Sequence, residues 1–443
     1  MLGPAKDRDL DRPVLVSLEA LVPADHFYRH LQAALDLSFV REWVTANYAP
    51  SGRPSIDPVV FFKLQLLLFF ENMRSERQLI ETASLHLAHR WYLGYALDEP
   101  LPDHSSLTRI RGRLGLPLFR RFFEHIVELC QDAGLVWGKE ILADATKVPG
   151  NAAKESLVPR LKEVIDGHLV ALFGEQEARV EGESWDVLEH CTLAPDRPLS
   201  PNRERRSHRK VSRTDADASP MVMRDGRTVL GYHTHYLVDG GRARIILHCL
   251  VTPSDIMENQ PFVDQFRRTL FRYQLRPRRV IADTTYGTAA NIRAIEAQDI
   301  RMYTPLPDRE KSSPYFPPSA FAYDADRDVN VCPQGATLTP GWVDQRAERV
   351  QYHAPTPVCR VCALRARCVP GWRGRLLYRS FAADYLDRVR SYHTTPAFEQ
   401  AMRKRSVWVE PLFGEAKQWH GLHKLRFRGL RKLNIQGVLI VAG

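Results

Sequence analysis

The spacing of the apolar residues changes close to residue 140 of this chain of 443 residues. Before that point apolar residues recur every three or four positions, as in helices that bury one face. After it come short apolar runs, the clearest at residues 229–238 and 244–251, with Asp239 and two glycines between them. An Asp-Gly pair between two such runs predicts a β-hairpin. The pattern therefore predicts an all-α N-terminal domain, followed by an α/β domain with a mixed sheet flanked by helices.

Loop-forming residues and composition suggest where these parts begin and end. We expect the helical domain at residues 1–135 and the α/β domain at residues 136–304 and 380–443. Residues 155–213 are expected to be an insertion that is helical at first and then polar and basic. Residues 305–379 hold several prolines and a cysteine cluster, and a loop-rich insert is expected there.

Charge and cysteine content limit the classes of protein to which this chain can belong. Lysine and arginine outnumber aspartate and glutamate by ten, which favours a polyanionic partner such as nucleic acid, although many basic proteins bind none. The longest apolar run, residues 59–70, is shorter than the roughly 20 residues of a membrane-spanning helix, so no membrane association is expected. The N-terminus has no apolar signal region, and the seven cysteines form no disulfide pattern. We therefore expect a cytoplasmic protein.

Two aspartates stand where short apolar strands end. Asp144 follows Ile-Leu-Ala, and Asp283 follows Val-Ile-Ala. Carboxylates held at the ends of buried strands can converge on a cleft, where they suit Mg²⁺ or Mn²⁺, and a pair of such ions promotes phosphodiester chemistry. The alternative is that each aspartate only ends its strand or begins a turn.

Several short motifs, taken in order, resemble those of DDE-type transposases of bacterial insertion sequences. They are Gly52-Arg53-Pro54-Ser55-Ile56-Asp57-Pro58, Ser75-Glu76-Arg77-Gln78-Leu79, Arg90-Trp91-Tyr92-Leu93-Gly94, Pro102-Asp103-His104-Ser105-Ser106, Asp144-Ala145-Thr146 with Asn151, Thr214-Asp215, and Asp283-Thr284-Thr285-Tyr286-Gly287. The resemblance runs along nearly the whole chain. It implies a ribonuclease H-like catalytic core, a helical N-terminal transposase domain that binds DNA and a cysteine-bearing insert.

The same resemblance implies a third acid, a glutamate on a C-terminal helix. Glu410 is the best candidate, because the family places a lysine after six intervening residues and Lys417 has that spacing. Seven residues are close to two helical turns, so both side chains would share one face. Glu415 is the alternative, but it points away from that face. Asp144, Asp283, Glu410 and Lys417 are thus the expected catalytic residues, with the three acids as magnesium ligands.

The segment before and after Glu410 is strongly basic. Residues 403–432 hold nine lysines and arginines and two glutamates, interleaved with aromatic residues, a composition that suits phosphate contacts and base stacking. A solvated basic helix is the alternative. The expected DNA contacts are Arg403, Arg405, Lys424, Arg426 and Arg428. The family often has a tyrosine and an arginine seven and four residues before the glutamate, where this chain has Arg403 and Ser406.

The late cysteines form a spaced cluster, C-x26-C-x2-C-x5-C, made of Cys332, Cys359, Cys362 and Cys368. Four thiolates can complete a tetrahedral structural zinc site. The alternatives are reduced, partly buried thiols, or His353 in place of one cysteine. The resemblance supports a small zinc-ribbon-like insert.

Three functions remain open at this point. The resemblance implies a DNA transposase that cleaves and joins insertion-sequence ends, acts on double-stranded DNA as a homodimer, and works in the bacterial nucleoid. The alternatives are a catalytically inactive or truncated DNA-binding derivative, since relatives generally run beyond the apolar segment that ends at Gly443, and a nuclease without strand transfer.

Overall fold

The computed structural model describes residues 11, 13–49, 51–52, 54–159, 210–306, 314–369, 371–423 and 425–443. Most of the expected insertion at residues 155–213 therefore lies outside the described residues. Its two described ends pair as short antiparallel strands, β2 (Leu157–Pro159) and β3 (Lys210–Ser212).

The N-terminal region is helical, as predicted. Its helices are α1 (Leu18–Leu21), α2 (Phe27–Ala34), α3 (Phe39–Val44), α4 (Pro58–Phe70), α5 (Glu76–Leu85), α6 (Leu87–Leu93) and α7 (His104–Asp132). Helix α4 is apolar around most of its circumference and lies buried at the centre of this group, because the other helices cover it on several sides.

Side-chain caps fix where three of these helices begin. Asp57 accepts a hydrogen bond from the Val59 amide at the start of α4, and Asp103 accepts one from Ser105 at the start of α7. Ser75 caps α5 as predicted, accepting from the Gln78 amide at 3.2 Å. The side chain of Gln78, however, accepts from the Arg74 amide instead of completing a capping box.

Among the described residues, the main sheet has six strands. They are β1 (Glu140–Pro149), β4 (Ser219–Val222), β5 (Thr228–Asp239), β6 (Ile246–Pro253), β7 (Arg279–Ile281) and β8 (Arg301–Tyr303). Strand β1 is central, antiparallel to β5 on one side and parallel to β7 on the other, and β8 continues the parallel part. Strands β4 and β6 pair with successive segments of the other edge of β5. The sheet is therefore mixed, as the sequence predicts.

The predicted hairpin is β5–β6, with register pairs from Tyr232–Pro253 to Val238–Ile246. Asp239 organises its turn, because its carboxylate accepts hydrogen bonds from the amides of Trp137, Gly138 and Gly241. This carboxylate thereby joins the hairpin turn to the segment that leads into β1.

Helices pack against this sheet. They are α8 (Phe262–Tyr273), α9 (Ala289–Glu296), α11 (Ala383–Tyr392), α12 (Pro396–Trp408), α13 (Glu410–Trp419) and α14 (Leu430–Ala442), while the short α10 (Thr356–Arg360) belongs to the insert. Helix α14 packs on both α7 and β6, and Asn434 bonds to the backbone of Val251. The N-terminal helices and the sheet consequently share one apolar core.

The insert contains more sheet than the sequence predicts. Five antiparallel strands lie in the order β13-β12-β11-β10-β9, made of β9 (Ala322–Asp324), β10 (Val329–Val331), β11 (Thr337–Asp344), β12 (Arg349–His353) and β13 (Leu376–Ser380). The expectation of a loop-rich insert at residues 305–379 was wrong for these strands. Strands β9 and β10 have three residues each, which leaves too little alternation to detect. A separate small core holds this sheet together.

In the part of the chain that the structure describes, every helix is too short or too polar to cross a lipid bilayer.

Candidate active site

The register of the sheet brings Asp144 and Asp283 together. The last parallel pair between β1 and β7 is Leu142–Ile281, and each aspartate lies two residues beyond it. Strand β7 ends there, so the β7 side of Asp144 is open. Asp283 begins a tight turn in which its carboxylate accepts from the Thr285 amide at 2.8 Å. The sequence-predicted acids therefore share one end of the parallel strands.

Arg405 connects the first acid to the third. Its Nη1 donates to Oδ2 of Asp144 at 3.1 Å, and its Nη2 lies 3.8 Å from Oε1 of Glu410. Glu410 is the first residue of α13, where the following Pro411 is tolerated because a first-turn residue needs no amide donor. Glu410 thus stands beside Asp144 although 266 positions separate them in the chain.

The charges of the three acids influence one another, as the pKa of Asp144 indicates. The pKa of Asp144 is raised to about 6, first by burial and also by the nearby carboxylates of Asp283 and Glu410, while Arg405 lowers it. Carboxylates that raise one another's pKa are a donor set to which a divalent cation would bind favourably. Within the described residues, however, no three His, Cys, Asp or Glu side chains are already arranged as ligands of one metal ion.

Lys417 lies on the same face of α13 as expected. Its Nζ donates to Oγ1 of Thr146 at 2.6 Å, two residues after Asp144 on β1. Phe413, one turn before Lys417, stacks on Tyr236 with ring centroids 4.3 Å apart, and Tyr236 is the cross-strand partner of Asp144. Helix α13 is therefore held over the strand that carries the first acid.

The alternative glutamate, Glu415, faces away from this cluster. Its side chain is 57% exposed, and its Oε1 lies 4.0 Å from Nε2 of His420. The geometry therefore favours Glu410 as the third acid.

A buried ion pair positions Arg405. Glu140 at the start of β1 is fully buried and contacts both Arg279 and Lys404. Lys404 also donates to the Gly240 carbonyl at 2.6 Å and lies over the ring of Trp408. Because Lys404 immediately precedes Arg405, this contact fixes α12 against β1 and directs the next side chain at Asp144.

A fourth acid, Glu258, was missed in the sequence. It lies in the turn between β6 and α8, and its side chain is 20% exposed. Its pKa is raised to about 7, first by burial and then by the carboxylates of Asp283 and Asp144, while Lys147 lowers it. Glu258 therefore lies within electrostatic range of both aspartates. A single acid in a polar turn carries no pattern, and only the folded arrangement reveals it.

The expected DNA contacts lie in different surroundings. Arg403 is 84% exposed, whereas Arg405 is 21% exposed and engaged with the acids. Arg428 donates to the Asn151 carbonyl at 2.9 Å. Lys424 lies outside the described residues.

Arg426 lines a cavity between the N-terminal helices and the C-terminal segment. Its Nη2 donates to Oδ1 of Asn72 at 3.1 Å, and burial lowers its pKa to about 10. The cavity has a volume of about 430 Å³ and is lined by Asn72, Arg74, Asn151, His423, Leu425 and Arg426. No acid is among these lining residues, so the cavity suits an anion.

The four cysteines of the insert lie near one another. Cys332, Cys359 and Cys368 pack against the small core of the insert, and the pKa of Cys368 is raised first by burial, although Arg375 lowers it. The three other thiols raise it further. The side chains are not arranged as metal ligands among the described residues, so the structure does not support the expected zinc site. The expected zinc-ribbon-like fold is likewise not confirmed, and zinc stays a prediction from the sequence.

Comparison with known proteins agrees with these observations. A family model described as "Transposase domain (DUF772)" matches residues 16–113, which contain most of the N-terminal helices. A second, described as "Transposase DDE domain", matches residues 331–443, which contain the four cysteines, Arg405, Glu410 and Lys417. A search of the curated proteins finds no match.

The two matched segments lie at opposite ends of the chain, in the order that the motifs predict, and both are transposase domains. Between them lie the strands that carry Asp144 and Asp283. The chain is accordingly identified as a relative of the DDE-type transposases of insertion sequences.

Proposed function

We propose that this protein is a DNA transposase that cleaves and joins the ends of an insertion sequence. Asp144, Asp283 and Glu410 form the active site in this proposal. The observation that carries the proposal is the convergence of these acids from β1, the end of β7 and the start of α13, with Arg405 between two of them. The antiparallel β1–β5–β6 unit beside the parallel β1–β7–β8 unit supports a ribonuclease H-like core.

The three acids would hold Mg²⁺ or Mn²⁺, since carboxylate oxygens are the ligands that these cations prefer. When bound, two such ions activate the attacking oxygen and stabilise the leaving oxygen of a phosphodiester. In the first step a water oxygen bonds to phosphorus, the bond to the 3′ oxygen breaks, and a 3′-hydroxyl and a 5′-phosphate result. In the second step that hydroxyl attacks a phosphodiester of the target strand and displaces its 3′ oxygen.

The protein's own cations would position the DNA. Lys417 lies beside Thr146, close along β1 to Asp144, where its ammonium can bind a phosphate next to the scissile one. The cavity lined by Arg74 and Arg426 lies past the end of β1, since the Leu425 amide donates to the Pro149 carbonyl at 3.0 Å. Together with Arg403 and Arg428, these groups would follow a strand away from the acids. Paired ends would require a homodimer on DNA.

A DNA strand-cleavage and joining assay tests this proposal. The substrate is double-stranded DNA that carries the element ends, with Mg²⁺ and a target duplex. We expect cleavage and joined products with the unmodified protein, and neither with Asp144→Ala or Asp283→Ala. Undiminished activity in either variant would refute the assignment of the acids.

A non-catalytic DNA-binding protein is the second candidate, and one observation favours it. The guanidinium of Arg405 already supplies a positive charge between Asp144 and Glu410, where a metal ion would act. That candidate predicts salt-dependent binding to end DNA without cleavage under any divalent cation. Cleavage without joined products would instead indicate a nuclease.

A further inference from the structure

The turn that carries Glu258 is tied to the turn that carries Asp283. Asn291 donates from Nδ2 both to the Asn259 carbonyl at 3.2 Å and to the Tyr286 carbonyl at 3.1 Å. The ring of Phe262 packs edge-on against Tyr286, with centroids 5.2 Å apart. These hydrogen bonds and this aromatic contact fix the turn of Glu258 relative to the turn of the second acid.

His233 provides an independent observation at the same place. Its side chain on β5 is more than nine-tenths buried, and Nδ1 lies 3.0 Å from the Ile256 carbonyl. A carbonyl only accepts, so Nδ1 carries the proton, and Nε2 presents a lone pair when the ring is neutral.

The lone pair of His233 has no hydrogen-bond partner. Oε1 of Glu258 lies 3.8 Å from Nε2, which is beyond hydrogen-bond distance. Nε2 is therefore a buried acceptor without a partner, and it faces a carboxyl group whose oxygens can likewise bind a cation. A cation bound between them and the neighbouring acids would satisfy both.

We propose that Glu258 is a fourth carboxylate ligand of the divalent-cation site, which it enters from the β6–α8 turn, with Nε2 of His233 beside it. The inference rests on the proposed function, since Asp144 and Asp283 supply the other ligands. Glu258 differs from Glu410 in two respects: its side chain is four-fifths buried and the carbonyl of the next residue, Asn259, is bonded to Asn291, whereas the side chain of Glu410 is 57% exposed and paired with Arg405. Glu258 would thus hold the cation before DNA binds.

Mn²⁺ binding to the full-length protein without DNA tests this assignment. Titration calorimetry or the electron paramagnetic resonance of free Mn²⁺ gives an affinity that does not depend on catalysis. We expect Glu258→Gln to weaken Mn²⁺ binding at least about tenfold, as expected for loss of a group that holds or orients the metal. Glu415→Gln is the matched control, because that glutamate is exposed and faces away from the cluster, and it should bind Mn²⁺ like the unmodified protein.

Two further variants separate the possible failures. If Asp144→Asn weakens Mn²⁺ binding and Glu258→Gln does not, Glu258 is no ligand and the proposed function stands. If Asp144→Asn and Asp283→Asn both bind Mn²⁺ normally and cleave DNA, the proposed function itself fails. Should Glu258→Gln unfold, as judged by circular dichroism, Glu258→Asp replaces it: this variant keeps the charge on a shorter side chain. Intermediate Mn²⁺ affinity in the aspartate variant supports the proposal, and unchanged affinity overturns it.

Discussion

Arg405 donates a hydrogen bond to Asp144 at 3.1 Å and reaches Glu410 with its other terminal nitrogen at 3.8 Å. One guanidinium therefore holds two acids that are 266 positions apart in the chain. The planar fork of arginine can address both carboxylates at once, which a lysine ammonium on a flexible stem does less well.

The first prediction concerns this bridge. Arg405→Ala should reduce DNA cleavage by about 10- to 100-fold, because a hydrogen bond to a charged group contributes roughly 1.5–3 kcal/mol. Mn²⁺ binding should not weaken, since a competing positive charge has been removed. The comparison is Arg390→Ala, which removes an exposed pair with Asp387 and should cleave normally. Normal cleavage by Arg405→Ala would show that the bridge has no role in positioning.

The second prediction concerns the buried pair that fixes α12. Glu140→Gln leaves Lys404 and Arg279 without their common carboxylate, and breaking such a buried pair costs about 3–5 kcal/mol. We expect the free energy of unfolding, followed by chemical denaturation, to fall by an amount in this range. Glu399→Gln breaks only an exposed pair and should change it by less than about 1 kcal/mol. Equal effects in both variants would refute the structural role of Glu140.

The third prediction compares two glycines. Gly414 lies within α13, and a methyl group there would meet nothing within 4 Å, so Gly414→Ala should stabilise the protein by about 0.5–1 kcal/mol. A methyl group on Gly231 of β5 would clash with the carbonyl oxygen of Val148. Gly231→Ala should therefore destabilise the protein by about 1–3 kcal/mol. Thermal melting of both variants measures the difference, and shifts of the same sign would contradict the β1–β5 packing.

The fourth prediction concerns acid stability of the N-terminal domain. Hydrogen bonds, first from His89 and then from Tyr28, lower the pKa of Glu71 from 4.5 to about 2 despite partial burial. The ionised carboxylate therefore stabilises the fold fully above pH 4.5, and this contribution is lost as the pH falls toward 2. At pH 6, the Glu71→Gln variant should have a lower melting temperature than the unmodified protein. Between pH 4.5 and 2, its melting temperature should fall less than that of the unmodified protein.

Glu71 is partly exposed, so solvent screens its contacts and the change in slope should be modest. The exposed Glu81 on α5 offers a control, and Glu81→Gln should keep the pH profile of the unmodified protein. A Glu71→Gln profile that parallels the unmodified one would rule out this carboxylate as the source of the acid sensitivity.

The fifth prediction concerns the cysteine insert. If the thiols of the insert move together around zinc, purified protein should contain about one zinc ion per chain, because four thiolates complete a tetrahedral site. Cys362→Ser should lower the zinc content, and Cys130→Ser on α7, far from the cluster in sequence, should not. Zinc-free protein that keeps its fold would show instead that the cysteines are reduced thiols of the insert core.

Local patterns in the sequence predicted what depends on neighbouring residues. The β5–β6 hairpin follows from two alternating runs and the turn at Asp239, and the α5 cap follows from Ser75. The two aspartates were recognised because each ends an apolar run. That they face each other depends on the register pair Leu142–Ile281, which no local pattern contains.

Long-range contacts account for what the sequence did not predict. Arg405 was expected to contact DNA, yet it lies among the acids because Lys404 pairs with Glu140, 264 positions earlier. Glu258 lies in a turn without a motif, while Asp144 lies on β1 and Asp283 begins the turn after β7. Such placements depend on tertiary packing, which a local pattern cannot express.

The position of Arg405 and Glu410 after the insert has a consequence for biosynthesis. A nascent chain that has reached β8 carries Asp144, Glu258 and Asp283 but lacks both the arginine and the third acid. Domains fold in order as the ribosome delivers them, so the reaction centre closes only after the insert has emerged. Under the proposed function, an unfinished polypeptide would therefore be unable to cut the DNA that encodes it.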